Sequence, residues 1–181
     1  MASAFSHALA AIAIGKVGTG EKMPWKFWIL GMACAAFPDI DVLAFKFGIP
    51  YQSVWGHRGF THSLFFAGLL ALLVNFVFYS KVKITSWKWL GLLLYFFLCT
   101  ASHGILDAMT TGGKGIAFFA PFDETRYFLP WQVIKVSPLT ISRFFSEWGW
   151  KVIRSEMVWV GIPVVTVIGL CYLIRSVLKR K

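Results

Sequence analysis

The chain has four histidines, His7, His57, His62 and His103, and each stands at the end of an apolar stretch or beside a polar turn. With them go three of its eight acidic residues: Asp39 and Asp41 in FPDID (37–41), and Asp107 in SHGILD (102–107). Imidazole plus carboxylate is a donor set that suits a divalent metal, with zinc favoured. An ionisable group at membrane depth costs roughly 2.5–3.5 kcal/mol on insertion scales, so a chain this apolar keeps such groups for a reason. A metal centre holding one or two ions is that reason.

The spacing assigns roles. His103 and Asp107 are four residues apart on a predicted helix and share a face. They suit two ligands of one metal, or a pair bridging two. Asp39 and Asp41 flank Ile40 just after Pro38, where an extended or turning backbone lets either reach a metal. His57 and His62 are five apart, wrong for one helical face, but Gly59 between them permits a turn. Thr61 and Ser63 lie at the start of a helix, where free backbone N–H groups attract anions. Arg58 adds a charge-assisted donor for a phosphate. The expected ligands are therefore His7, Asp39, His62, His103 and Asp107. Asp41 or His57 is expected as general base or as ligand of a second metal, and Arg58 as the group that holds the anion.

The elements that must position these residues read as membrane helices. Of 181 residues, 57% are hydrophobic and 14% charged, against about 25% charged in soluble domains. Nine tryptophans fit anchoring at the headgroup level. Residues 2–15 read as a short retained helix, since the positive charge follows the apolar run instead of preceding it as in a secretory signal. A second helix starts at 27 and meets a break or kink at Pro38. Residues 42–60 read as a loop, 62–80 and 89–108 as long apolar helices, and 157–175 as the last span. Residues 112–156, with three prolines and charges of both signs, read as an extracytoplasmic or interfacial segment with short helices. The expected fold is all-α: one multi-pass helical membrane domain over 1–181 with about five apolar helices. Cys34, Cys99 and Cys171 lie inside apolar runs without CxxC spacing and read as small packed hydrophobes.

Charge sets the expected orientation. The segments 16–26, 81–88 and 175–181 hold ten of the eighteen Lys and Arg residues and a single acid, Glu21. Placing all three in the cytoplasm obeys the positive-inside rule. The same threading gathers His7, Asp39, Asp41, His57, His62, His103 and Asp107 on the outer side. The formal charge of +10 lies in short segments between apolar runs and not on a polar face, which speaks against nucleic acid.

FPDIDVL (37–43), HRGFTHS (57–63) and SHGILDAMTTGG (102–113), with an early His7, resemble the YdjM-like family of bacterial inner-membrane proteins, in some members under LexA control. The resemblance covers about residues 5–125 and implies a metal-dependent hydrolase without fixing its substrate. The PDID and His-x-x-x-Asp patterns are more distantly similar to zinc-dependent phospholipases C, whose N-terminal tryptophan ligand this chain lacks. Together these readings point to hydrolysis of a lipid phosphoester at the outer face of the cytoplasmic membrane, with the bilayer as surroundings and a membrane lipid as substrate. A metal-binding transporter or structural site is the alternative. Against transport, the cytoplasmic halves of the long helices carry few polar groups beyond Asn75. Hydrolysis of a peptide bond lacks the HExxH signature. No oligomeric state is specified.

Overall fold

The computed structural model describes residues 1–20, 22–138 and 141–179. Glu21 of the first basic segment, and Arg180 and Lys181 of the tail, lie outside them. Among the described residues the architecture is all-helical, without strands. Helix α1 covers Ala4–Gly18, α2 Trp25–Ala36, α3 Leu64–Phe78 and α4 Trp87–Ala108. Then come α5 (Ile141–Phe144), α6 (Glu147–Glu156) and α7 (Ile162–Leu178).

Among the described residues three continuous helical stretches are long and apolar enough to cross a membrane: Trp25–Phe47, Trp87–Ala108 and Glu147–Leu178. Helices α1 and α3 are apolar but only 15 residues long, about 22 Å at 1.5 Å per residue. Local chemistry sets several of these ends. Ser63 and Ser86 accept hydrogen bonds from Phe66 N (3.0 Å) and Trp89 N (3.2 Å), capping α3 and α4.

Two boundaries differ from the sequence reading. The chain does not leave the helix at Pro38; it tightens into a 3₁₀ helix over Phe37–Phe47, which includes six residues expected in the loop. Pro38 falls in the first turn of that segment, where a missing N–H costs nothing. Gly48, at φ 71°, ends it in the left-handed conformation. The last helix begins at Glu147 and not near 157, because a π-helical stretch, Met157–Gly161, joins α6 to α7 without a break.

The core lies where α1, α2, α3 and α4 meet. Phe27 stacks on Tyr95 at 3.9 Å between centroids, and Cys34, Leu70, Ala71, Val74, Phe96 and Cys99 fill the space around them. Cys34 and Cys99 thus pack as small apolar side chains. Lipid tails are as apolar as leucine, so close packing and polar contacts hold membrane helices together. Small residues serve the first: Ala11, Gly31, Ala35, Ala67 and Ala71 are buried at the contacts. Asn75 serves the second, its amide donating to Trp89 O at 3.2 Å.

Helix α7 lies outside this core and buries no residue. Polar clasps at both ends hold its rod to α1. At one end Glu156 accepts from the backbone N–H and hydroxyl of Ser3. At the other, Arg175 donates to the carbonyls of Lys16 (2.9 Å), Val17 (2.7 Å) and Thr19 (2.6 Å).

Gly31 has no room for a side chain, since a Cβ there would collide with the phenol of Tyr95, whereas a Cβ at Gly91 meets open space. Gly31→Ala should overpack the α2–α4 contact and cost about 1–3 kcal/mol. Gly91→Ala should be neutral or gain up to about 1 kcal/mol from helix propensity. Melting temperatures of the two variants in detergent check this; equal values would show that α2 and α4 tolerate separation.

Candidate metal centre

One end of the bundle collects the polar residues. The start of α1, the 3₁₀ helix after α2, the turn before α3 and the last turn of α4 converge there. His7, Arg58, His103 and Asp107 are fully buried, and His57, His62 and Asp41 nearly so. Asp39 is the exception: 16% of its side chain reaches the surface.

Asp39, His62, His103 and Asp107 each offer a ligand atom, and these four atoms lie within 4.8 Å of one another. His62 Nε2 is 3.1 Å from His103 Nε2, 3.8 Å from Asp39 Oδ1 and 3.8 Å from Asp107 Oδ2. His103 Nε2 is 3.3 Å from Asp39 Oδ1. Donors on a tetrahedral shell of radius about 2.0–2.1 Å stand roughly 3.3 Å apart, so these spacings fit a zinc-sized ion with little movement.

The protons decide what the two imidazoles can do. His103 Nδ1 is 2.7 Å from Ala35 O, an acceptor only, so Nδ1 carries the hydrogen. His62 Nδ1 faces Asp41 Oδ2 and the Thr61 hydroxyl, each at 3.1 Å, and that hydroxyl donates to the same carboxylate at 2.7 Å. Nδ1 of His62 is therefore also a donor. With both rings neutral, the two Nε2 lone pairs point at each other across 3.1 Å, with carboxylate oxygens beside them. Burial disfavours a charge on the His62 imidazole, against the pull of Asp41. Asp39 Oδ1 and Asp107 Oδ2 are buried without a hydrogen-bond partner. One proton satisfies two of these facing atoms, whereas a cation satisfies all four. The residues present fit a divalent metal.

Asp41 belongs to an outer layer. Its Oδ1 lies 2.6 Å from His57 Nδ1, and its Oδ2 accepts from Arg58 N (3.0 Å) and Thr61 Oγ1. A carboxylate that orients a ligating histidine is the usual partner of such a ring. Asp41, His57 and His62 form a second group that could hold an ion. His62 would reach that ion through Nδ1 and the first through Nε2, which needs an imidazolate. The geometry therefore favours a single ion, with Asp41 positioning His62 on one side and His57 on the other.

His7 stacks on His103 at 3.7 Å and 12°, and its Nε2 is 3.6 Å from Asp107 Oδ1. Neither ring nitrogen has a hydrogen-bond partner. His7 thus stands at the rim of the quartet.

Arg58 has internal partners. Its guanidinium donates to Gly112 O (2.8 Å) and Thr110 Oγ1 (2.9 Å), and its Nε is 3.2 Å from Asp107 Oδ2. Its backbone is left-handed, φ 64°, a strain of about 1–3 kcal/mol that persists where neighbours over-determine it. Gly113 (φ 94°) leaves room for the guanidinium, which a Cβ would strike. The helix start expected to attract an anion is also occupied: Leu64 N donates to Phe118 O (3.0 Å), and Phe66 N to the Ser63 cap.

Several contributors escaped the sequence reading. Arg126 donates to the carbonyls of His57, Arg58, Tyr51 and Ser53 and so fixes the loop that presents His57. Ala35 orients His103 by its carbonyl alone. Ala2 N donates to Asp107 Oδ1 at 2.5 Å, and Glu156 holds the adjoining Ser3. Only the charges of Arg126 and Glu156 could have signalled them; a backbone group has no residue-type signature.

The profile described as YdjM inner membrane protein matches residues 1–180. The chain is 41% identical over 176 residues to the inner membrane protein YbcI of Escherichia coli (strain K12), covering 95% of this chain and 98% of that one. No solved structure matches. The chain belongs to the YdjM inner membrane protein family.

Two metal measurements follow from the geometry. His103→Ala and Asp107→Ala should each empty the centre, because each removes one of four donors. Asp41→Asn should retain the donors but weaken divalent-ion affinity about 10–100-fold. Elemental analysis of the purified variants, followed by zinc titration, checks both; full occupancy in either alanine variant would refute the quartet.

Proposed function

We propose that this member of the YdjM inner membrane protein family is a metal-dependent hydrolase that cleaves a phosphoester of a membrane lipid. The observation that carries the reading is the pair of Nε2 atoms 3.1 Å apart, flanked by unpartnered carboxylate oxygens and backed by a histidine–aspartate pair. Asp39, His62, His103 and Asp107 would hold the ion, with His7 beside them against Asp107. A bound zinc-type ion supplies Lewis acidity and lowers the pKa of a water toward roughly 7.

The chain's own groups do the remaining work. His57 gives Nδ1 to Asp41 and keeps Nε2 free as general base. Asp41 fixes the tautomers of both His57 and His62. Arg58 offsets the charge of Asp107 from a fully buried position and is a positioning residue. Asp39 is the open edge of the cluster. Beside it on the same 3₁₀ helix, Phe37, Ile40 and Leu43 are 41–48% exposed, an apolar approach that suits a lipid tail more than a soluble ester.

The proposed topology has five spans, α1 and α3 included, with the cluster outside and the three basic segments in the cytoplasm. The charge asymmetry supports it, and so does the convergence of the site residues at the end of the bundle away from Lys16, Lys88 and Arg175. A non-catalytic metal site is the second reading, favoured by the complete burial of His7, His103 and Asp107.

Two experiments test these readings. His57→Gln should keep its metal and lose about 10²–10⁴-fold in rate, the usual contribution of a placed base. The assay is chelator-sensitive release of headgroup or phosphate from phospholipids and polyprenyl phosphates in micelles; a metal-loaded wild type inert across that panel favours the structural site. In intact cells, a cysteine at Ile84 in a background lacking Cys34, Cys99 and Cys171 should resist an impermeant thiol reagent. Labelling there would invert the topology.

A further inference from the structure

The end of the bundle opposite the His/Asp cluster has two adjoining cavities with no part in the proposed chemistry. One, of about 620 Å³, is lined by Lys16, Lys22, Arg175 and Lys179, and by no acid among the described residues. The other, of about 550 Å³, is an apolar groove between α1 and α4 whose walls include Gly18, Phe27, Gly91, Leu92 and Tyr95. Thr19 and Met23 line both, so the two spaces meet.

The cationic cavity stands at the C-terminus of α1, where exposed carbonyls would normally repel an anion. Arg175 removes that obstacle by binding the carbonyls of Lys16, Val17 and Thr19. The ammonium of Lys16 is held over the ring of Trp28 at 5.0 Å, and Lys22 and Lys179 complete the wall. From Lys88 at its polar end to Leu98 the groove follows α4 for ten residues, about 15 Å. That is half of the roughly 30 Å hydrocarbon core, the depth of one leaflet.

A basic pocket opening into an apolar groove one leaflet deep matches a single class of molecule. We propose that this end of the bundle binds an anionic phospholipid, its phosphate among Lys16, Lys22 and Lys179 and one acyl chain in the groove between α1 and α4. The site is a resident-lipid site independent of the metal centre, and it ties α1, α4 and α7 together at the basic end.

The test is a titration of the purified full-length protein with phosphatidylglycerol, read by native mass spectrometry. Phosphatidylcholine with the same chains is the comparison, and inorganic phosphate the competitor. A single phosphatidylglycerol should remain bound, with phosphatidylcholine weaker and inorganic phosphate unable to displace it. The double variant Lys16→Gln/Lys22→Gln should bind roughly 25-fold more weakly, at about fivefold per cation. Gly91→Leu, whose side chain enters open space in the groove, should weaken both lipids. Equal binding of the two lipids, or unchanged binding in the lysine variant, overturns the proposal. Displacement by inorganic phosphate with no effect of Gly91→Leu also overturns it, leaving a free-anion site. Melting temperature and metal content confirm that each variant is folded, and neither variant touches the cluster.

Discussion

Two imidazole nitrogens and two carboxylate oxygens that no single proton can satisfy together share one buried space, and the rest of the bundle is arranged to keep them there. Each imidazole is forced into this position from behind, His103 by the carbonyl of Ala35 and His62 by Asp41 and Thr61. Those partners sit on different helices, so the assembly of α2, α4 and the turn before α3 is also the assembly of the centre. A helix that slid by one turn would carry its donor about 5.4 Å away. Helix packing and site geometry are therefore one constraint.

The backs of the ligands are the better-defined half of the design. Asp41 accepts four contacts and joins two histidines that lie five residues apart in sequence. Arg58, in a left-handed backbone conformation, is tied to the loop after α4 through Thr110 and Gly112. Arg126 fastens the loop that carries His57 and Arg58 from outside by four carbonyls. Such a network holds a charge in a low-dielectric interior only if nearly every donor and acceptor is matched. The atoms it leaves unmatched lie on His7, Asp39, Arg58 and Asp107.

Much of this was legible in the order of residues. The helical class, the long apolar stretches and the convergence of histidines and aspartates follow from hydropathy, charge and spacing, because the i, i+4 relation of His103 and Asp107 fixes a shared face. What the sequence could not separate was the carboxylate inside the quartet from the one behind it. Asp39 and Asp41 have the same type and nearly the same position, yet Asp39 lies in the quartet and Asp41 meets it only from behind, through His62 Nδ1, a difference set by the 3₁₀ geometry of Phe37–Phe47. Pro38 hid that geometry, since it reads equally as a break and as a first-turn residue. The start of the last helix was obscured by the charges of Glu147–Glu156, which look interfacial until the π-helical stretch carries them on into α7. Arg58 was read from its charge alone; its burial depends on neighbours brought from more than fifty residues away.

The two clasps on the last helix have a mechanical consequence. Glu156 and Arg175 are nineteen residues apart, close to 28 Å along a helical axis by the standard rise. That length is near the hydrocarbon thickness of a typical bilayer. The rod formed by the π-helical stretch and α7 therefore acts as a ruler whose ends are pinned to the two ends of α1. On the five-span topology proposed above, α1 and α3 are shorter than the ruler, and mismatch between protein and bilayer falls on them. On that topology the start of α1, which carries His7 and rests on Asp107 through Ala2, links the His/Asp cluster to the thickness of the host membrane.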